Sequence, residues 1–166
     1  RLLVLLFTGI AFTAGAQAPA TVWNNTAEPL REMELIRKQI KAPVFPAKDF
    51  LVTKFGAKGD GETLNTEAFK KAIAACVKSG GGRVVVPPGN FFTGAIHLKS
   101  NVNLHLQDSA KITFSVNPLH YPIVFGRWEG MELMNYSALI YAYEQHNIAI
   151  TGNGILDGNA TYNDWY

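Results

Sequence analysis

NVNLHLQDSAKITF, from Asn101 to Phe114, and HNIAITGNGILDG, from His146 to Gly158, are two copies of one pattern. Each has a leading Asn (Asn101, Asn147), an apolar-x-apolar run, a turn with a small residue and a second apolar run. Alternation with period two marks strands with unlike faces. Asn at the corners bonds backbone groups where strands bend. The copies lie 46 residues apart. That is too long for a hairpin repeat and suits two turns of a coil of roughly 20–25 residues. A parallel β-helix is such a coil, with the inward residues of one turn stacked on those of the next.

The surroundings agree. After Gly82 come RVVV, FFTGAIHL, LIYAY and similar short runs, separated by Gly, Asn, Asp or Pro turns. Little helix is expected from there on. Just before them lies NTEAFKKAIAACVKSGGG, an amphipathic helix. Asn65 or Thr66 can cap it, Glu67 suits its first turn, and Gly80 stops it. Phe69, Ile73, Cys76 and Val77 form its apolar face. A β-sandwich is the rival architecture, but it prefers hairpin turns and has no use for this helix. In a solenoid the helix covers the open end of the core.

Upstream, a first helix is expected from about Glu28 to Lys41, with Thr26 as its cap and Pro29 early in it. Pro43 and Pro46 then break it. DFLVTKFGAKGDG reads as a short strand and a glycine-rich turn; it lacks the Gly-Lys-Ser/Thr ending of a phosphate loop. The first residues, RLLVLLFTGIAFTAGAQA, put a basic residue before an apolar run, and small residues after it. This is the layout of a secretory signal peptide, and the run is shorter than the ~20 residues of a membrane span. The expected organisation is a signal peptide over 1–18, a helical segment over 19–48 and a β-helix domain over 49–166. The destination is secreted or periplasmic, with no stable membrane insertion. No initiator Met opens the sequence, so a few residues are expected before it. With 48% apolar and 17% charged residues the chain is globular. Its net charge of +2 offers no stripe for nucleic acid. The lone Cys76 makes no disulfide framework and reads as a small buried hydrophobe.

Four segments carry a family resemblance: FGAKGDGETLNTEAFKKAIAAC, GGGRVVVPPGNFFTGAIHLKSNVNLHL, RWEGMELMNYSALIYAY and NIAITGNGILDG. In this order, from about Phe50 to Tyr166, they resemble the N-terminal part of family 28 glycoside hydrolases, the polygalacturonases and their relatives in the pectate-lyase-like superfamily. The first two segments are shared with other β-helix proteins; RWEG…MNYS and the GILDG turn narrow the resemblance. Leu64-Asn65 departs from it, because the family often has two polar or acidic residues there; the helix cap is the feature concerned. The resemblance implies an all-β, right-handed parallel β-helix. It also implies inverting hydrolysis of α-1,4 galacturonosyl linkages in pectin, with one carboxylic acid protonating the leaving oxygen and another activating water. The family's Asn-Thr-Asp, Asp-Asp, Gly-His-Gly and Arg-x-Lys segments are missing here. No catalytic residue is therefore assigned on this chain, which is expected to be a fragment that does not hydrolyse pectin alone. The rivals are a pectate-lyase-like polysaccharide lyase and a non-catalytic polysaccharide-binding β-helix.

The binding candidates lie in FGRWEGMELMNY, Phe125 to Tyr136. Arg127 presents a guanidinium fork, and every galacturonate offers a carboxylate. Trp128 offers a stacking surface, and Glu129 a group to orient Arg127 or accept sugar hydroxyls. The competing reading is an internal Arg127–Glu129 or Arg127–Glu132 ion pair with Trp128 buried. Asp157 reads as a turn aspartate. His97, His105, His120 and His146 have no metal-ligand spacing, Asp60 no calcium-loop pattern, and no metal or cofactor is called for. Tyr162, Trp165 and Tyr166 are either a cleft wall or packing for a further turn. The expected partner is pectic polysaccharide or an oligogalacturonide.

Overall fold

The structure is a computed structural model and describes residues 27–165. The segment expected to be a signal peptide, Thr26 and Tyr166 lie outside the described residues. The chain divides into two units, residues 1–41 and 42–166. In the first, α1 runs from Ala27 to Gln39, two residues short of the expected end, and Leu30, Met33 and Ile36 on it are exposed.

The second unit begins with β1 (Asp49–Leu51), a 3-10 turn (Val52–Phe55) and α2 (Thr66–Lys78). Strands β2 (Gly82–Val86), β3 (Gly89–Thr93), β4 (Ile96–His97), β5 (Val102–Leu106) and β6 (Ala110–Phe114) follow. After a 3-10 turn (Pro118–His120) come β7 (Ile123–Trp128), β8 (Met131–Tyr136), β9 (Ile140–Tyr141), β10 (Ala149–Gly152) and β11 (Ile155–Asp157). A single helical turn, α3 (Tyr162–Trp165), follows.

Three parallel sheets carry the fold: β1-β2-β5-β10, β3-β6-β11 and β4-β9. The chain visits each sheet in turn and returns one rung further along, which is a parallel β-helix. Registers stack like on like. Val84 lies beside Leu104, and Leu104 beside Ile150; Phe91 lies beside Ile112, and Ile112 beside Leu156. Val84, Leu104, Phe91 and Ile112 are buried, with Val86, Leu106 and Phe114. Polar groups stack too. Asn147 donates to Asn101 Oδ1 at 2.9 Å, Thr151 to Asn103 Oδ1 at 2.9 Å, and Thr113 to Asn90 Oδ1 at 2.7 Å. Asn101 and Asn147 both adopt positive φ, 64° and 51°. Such a corner tolerates Asn better than most residues.

Three expectations need correction. The 46-residue spacing is one turn of the coil, not two: Asn103 and Ala149 are direct hydrogen-bonding neighbours in β5 and β10. The preceding turn, β2 to β5, takes 20 residues, from Gly82 to Val102. The longer turn contains an antiparallel hairpin, β7–β8, which the apolar pattern hid among strands of similar length. Second, the buried face of α2 is Ala68, Phe69, Ala72, Ile73 and Cys76, whereas Val77 is 42% exposed. Third, Asn65 does not cap α2 with its side chain. It is buried, accepts the Lys58 N–H at 2.8 Å, and turns its amide to the carbonyls of Lys58, Thr63 and Phe92. It ties the glycine-rich turn to β3.

Candidate functional site

Arg127, Trp128 and Glu129 sit at the tip of the β7–β8 hairpin. Trp128 pairs with Met131, so Glu129 and Gly130 form a two-residue turn. Their φ values are 46° and 91°, the doubly left-handed geometry that matches the twist of a hairpin. The Gly is well suited to this; the Glu is strained relative to Asn or Gly. The hairpin pairs with itself alone among the described strands.

Alternation splits the candidates. Arg127 lies opposite Glu132, and Trp128 opposite Met131, in successive rungs. Successive side chains point to opposite faces. The structure therefore does not gather Arg127 and Trp128 on one face, and the turn residue Glu129 sits between them. Trp128 is 64% exposed, not buried, and Met131 67%. Among the described residues Arg127 makes no ion pair, with Glu132, Glu129 or any other acid. The guanidinium is thus available to a ligand.

The foot of the hairpin is fixed to the coil. Ser137 N–H donates to the Pro122 carbonyl at 2.9 Å, joining the two ends. Tyr141 Oη donates to the Phe125 carbonyl at 2.8 Å, and the Phe125 ring meets Tyr143 edge-on at 5.0 Å. His97 Nε2 lies 2.9 Å from Ser137 Oγ. Beside this foot is a groove of about 540 Å³, lined by Phe69, Lys70, Ile73, Ile96, His97 and Lys99 among others. Burial, helped by the Lys99 charge, holds the His97 imidazole below its usual pKa.

The other candidates have local duties. All four histidines bond a hydroxyl: His97 to Ser137, His105 to Thr151, His120 to Ser115 and His146 to Ser100. Asp157 accepts the Asn159 N–H at 2.8 Å and meets Lys111 Nζ at 2.7 Å across β6 and β11. Lys111 and that amide draw its carboxyl below the usual range. Asp60 accepts from Thr63 Oγ1 and from the Glu62 and Thr63 amides. Burial pushes the Cys76 thiol up, which keeps it protonated and unreactive. Tyr162 is exposed; the Trp165 side chain and Tyr166 lie outside what the structure describes. Among the described residues no group of three His, Cys, Asp or Glu can hold a metal ion, and no helix is long and apolar enough to cross a membrane.

The stacked parallel sheets define the fold class, a parallel β-helix. The family described as Rhamnogalacturonase A/epimerase, pectate lyase-like matches residues 50–107. The exo-poly-alpha-D-galacturonosidase of Dickeya chrysanthemi is 40% identical over 116 residues, which are 65% of this chain and 19% of the relative. The crystal structure of a hyperthermoactive exopolygalacturonase from Thermotoga maritima superposes with a TM-score of 0.78 at 46% identity, over 82% of this chain and 31% of that one. A family 28 exopolygalacturonase from Yersinia enterocolitica gives 0.62 at 37% identity, over 69% and 21%. The likeness to family 28 polygalacturonases thus covers about two thirds or more of the chain, as in a partial member of that family. The chain spans between a fifth and a third of the length of these relatives.

Proposed function

We propose that this chain is part of a secreted glycoside hydrolase that cleaves the α-1,4 galacturonosyl linkages of pectic polysaccharide with inversion. The observation that carries the reading is the 46% identity to an exopolygalacturonase over 82% of the chain, extending well past the shared front portion. Family matches confined to residues 50–107 fit lyases and epimerases equally.

In this reading the coil is right-handed and α2 closes its N-terminal end. Support comes from the apolar face of α2, which packs on β1, β2, β4 and β5. The first eighteen residues direct export. The catalytic carboxylates lie in other parts of the whole protein, and this chain contributes binding. Arg127 takes a galacturonate carboxylate through its two-pronged guanidinium. Trp128 offers its exposed ring to a neighbouring sugar on the other side of the tip, and Glu129 accepts hydroxyls between them.

Two measurements test this. The full-length protein, given polygalacturonate, is expected to release galacturonate whose new anomeric centre is inverted by NMR. Retention, or an unsaturated product, overturns the hydrolase reading. Arg127→Ala is expected to raise KM for oligogalacturonates roughly tenfold, as for a lost charged hydrogen bond. The melting temperature should not change, because the side chain is exposed and unpaired. A large fall in stability at unchanged KM assigns Arg127 to the scaffold instead.

A further inference from the structure

We infer that His97 is a positioning residue: through Ser137 it fixes the end of β8 to the coil, and together with Tyr141 of β9, which bonds the β7 backbone, it sets where the hairpin tip stands. This rests on the reading that the tip meets the pectic chain.

The hairpin needs such a device. Its two strands run six residues each, roughly 20 Å at the usual rise. A small tilt at the foot therefore moves Arg127 by several ångström, and a misplacement of about 1 Å already weakens a positioned contact. No other described strand pairs with β7 or β8 to prevent the tilt. Restraint has to come from side chains at the foot.

Those side chains form one rung. His97 and Tyr141 are direct partners in the β4–β9 pair, with ring centroids 5.0 Å apart. From this rung two bonds reach the hairpin. Tyr141 Oη donates to the Phe125 carbonyl in β7, and His97 bonds the hydroxyl of Ser137, the residue after β8. The direction of the second bond follows from proton count. Ser137 has one hydroxyl hydrogen and gives it to the Ala138 carbonyl at 2.9 Å. The assignment that satisfies both bonds has the Ser137 oxygen accepting from His97, with the proton on Nε2. Ser137 is buried, so an unmade bond here would strand a polar group.

The test is a double-mutant cycle in the full-length protein, read as KM and kcat on oligogalacturonates. His97→Ala is expected to raise KM about fivefold, the worth of one neutral hydrogen bond, with a smaller change in kcat. His97→Gln, which keeps an N–H donor, is expected to restore most of the loss. Ser137→Ala should match His97→Ala. With Arg127→Ala already in place, His97→Ala should add nothing, because the tip it positions has lost its contact. An undiminished His97→Ala effect in that background overturns the proposal. So does an Arg127→Ala effect with none from His97→Ala. If Arg127→Ala itself leaves KM unchanged, the tip is not a binding element and the underlying reading falls first. If His97→Ala does not fold, Ser137→Ala carries the cycle, with His97→Gln as the variant that keeps the bond.

Discussion

Asp60 lies in an exposed turn, yet its carboxyl is drawn from 3.8 to about 2 by the Thr63 hydroxyl and then by the Thr63 and Glu62 amides. The folded value lies below the unfolded one. Its contribution to stability is therefore fully present above about pH 4 and fades as pH falls towards 2. Asp60→Ala is expected to melt below wild type at pH 7, with the gap closing by pH 2, as followed by circular dichroism. A gap that persists at pH 2 assigns the loss to backbone strain. The same turn shows what single letters hide. Asn65 stands where a helix cap belongs, and cap preference is a sound prior. Burial changes its duty: a buried amide with four hydrogen-bonding functions is better satisfied by the Lys58 and Phe92 backbones than by one helix N–H. The departure at Leu64-Asn65 therefore concerns how the glycine-rich turn is held. Arg127 was visible as a candidate, but the separation of Arg127 from Trp128 required the register of β7 against β8.

Strand existence and type were legible in the elements, because period-two runs between turn residues report a half-buried pleat whatever the topology. The helix face was nearly legible; Val77 falls outside it because the face that meets the coil is turned towards Ala68 and Ala72. The size of the second turn was not legible. A hairpin inserted in a coil uses the same apolar strands as the coil, and Glu-Gly is a weaker turn signal than Asn-Gly. Two glycines separate coil from insertion experimentally. Gly152 (φ 98°) ends β10 beside Leu106, and a Cβ there would collide with the Leu106 carbonyl. Gly130 (φ 91°) sits in the hairpin turn with open space around it. Gly130→Ala is expected to cost only the left-handed strain, about 1–2 kcal/mol. Gly152→Ala carries that strain and also forces two rungs apart, so its cost should exceed Gly130→Ala by about 1–3 kcal/mol in urea unfolding. Equal costs would mean that the β5–β10 stacking is looser than the register shows.

Across the whole molecule, stability is a sum of rung-on-rung contacts, as in any solenoid. The core is continuous from α2 through the stacked residues of β2, β5, β3 and β6, with Phe69, Val84, Leu104 and Ile112 buried throughout. The hairpin stands outside this sum. It pairs with itself, and Ile123, Trp128, Met131, Met134 and Tyr136 on it are all more than half exposed. Local opening is cheapest where few buried apolar contacts hold the backbone. Amide exchange in the full-length protein is therefore expected to divide the 46-residue turn sharply. Amides of β5, hydrogen-bonded between β2 and β10, should exchange at the rate of global unfolding. Amides of β7 and β8 should exchange orders of magnitude faster, through an opening that leaves the coil intact. Saturating oligogalacturonate should slow the hairpin and leave β5 unchanged, because a ligand stabilises only the state it binds. Hairpin protection that matches β5 without ligand would make β7–β8 part of the coil's cooperative unit. Its exposed tip would then be held by something other than its foot.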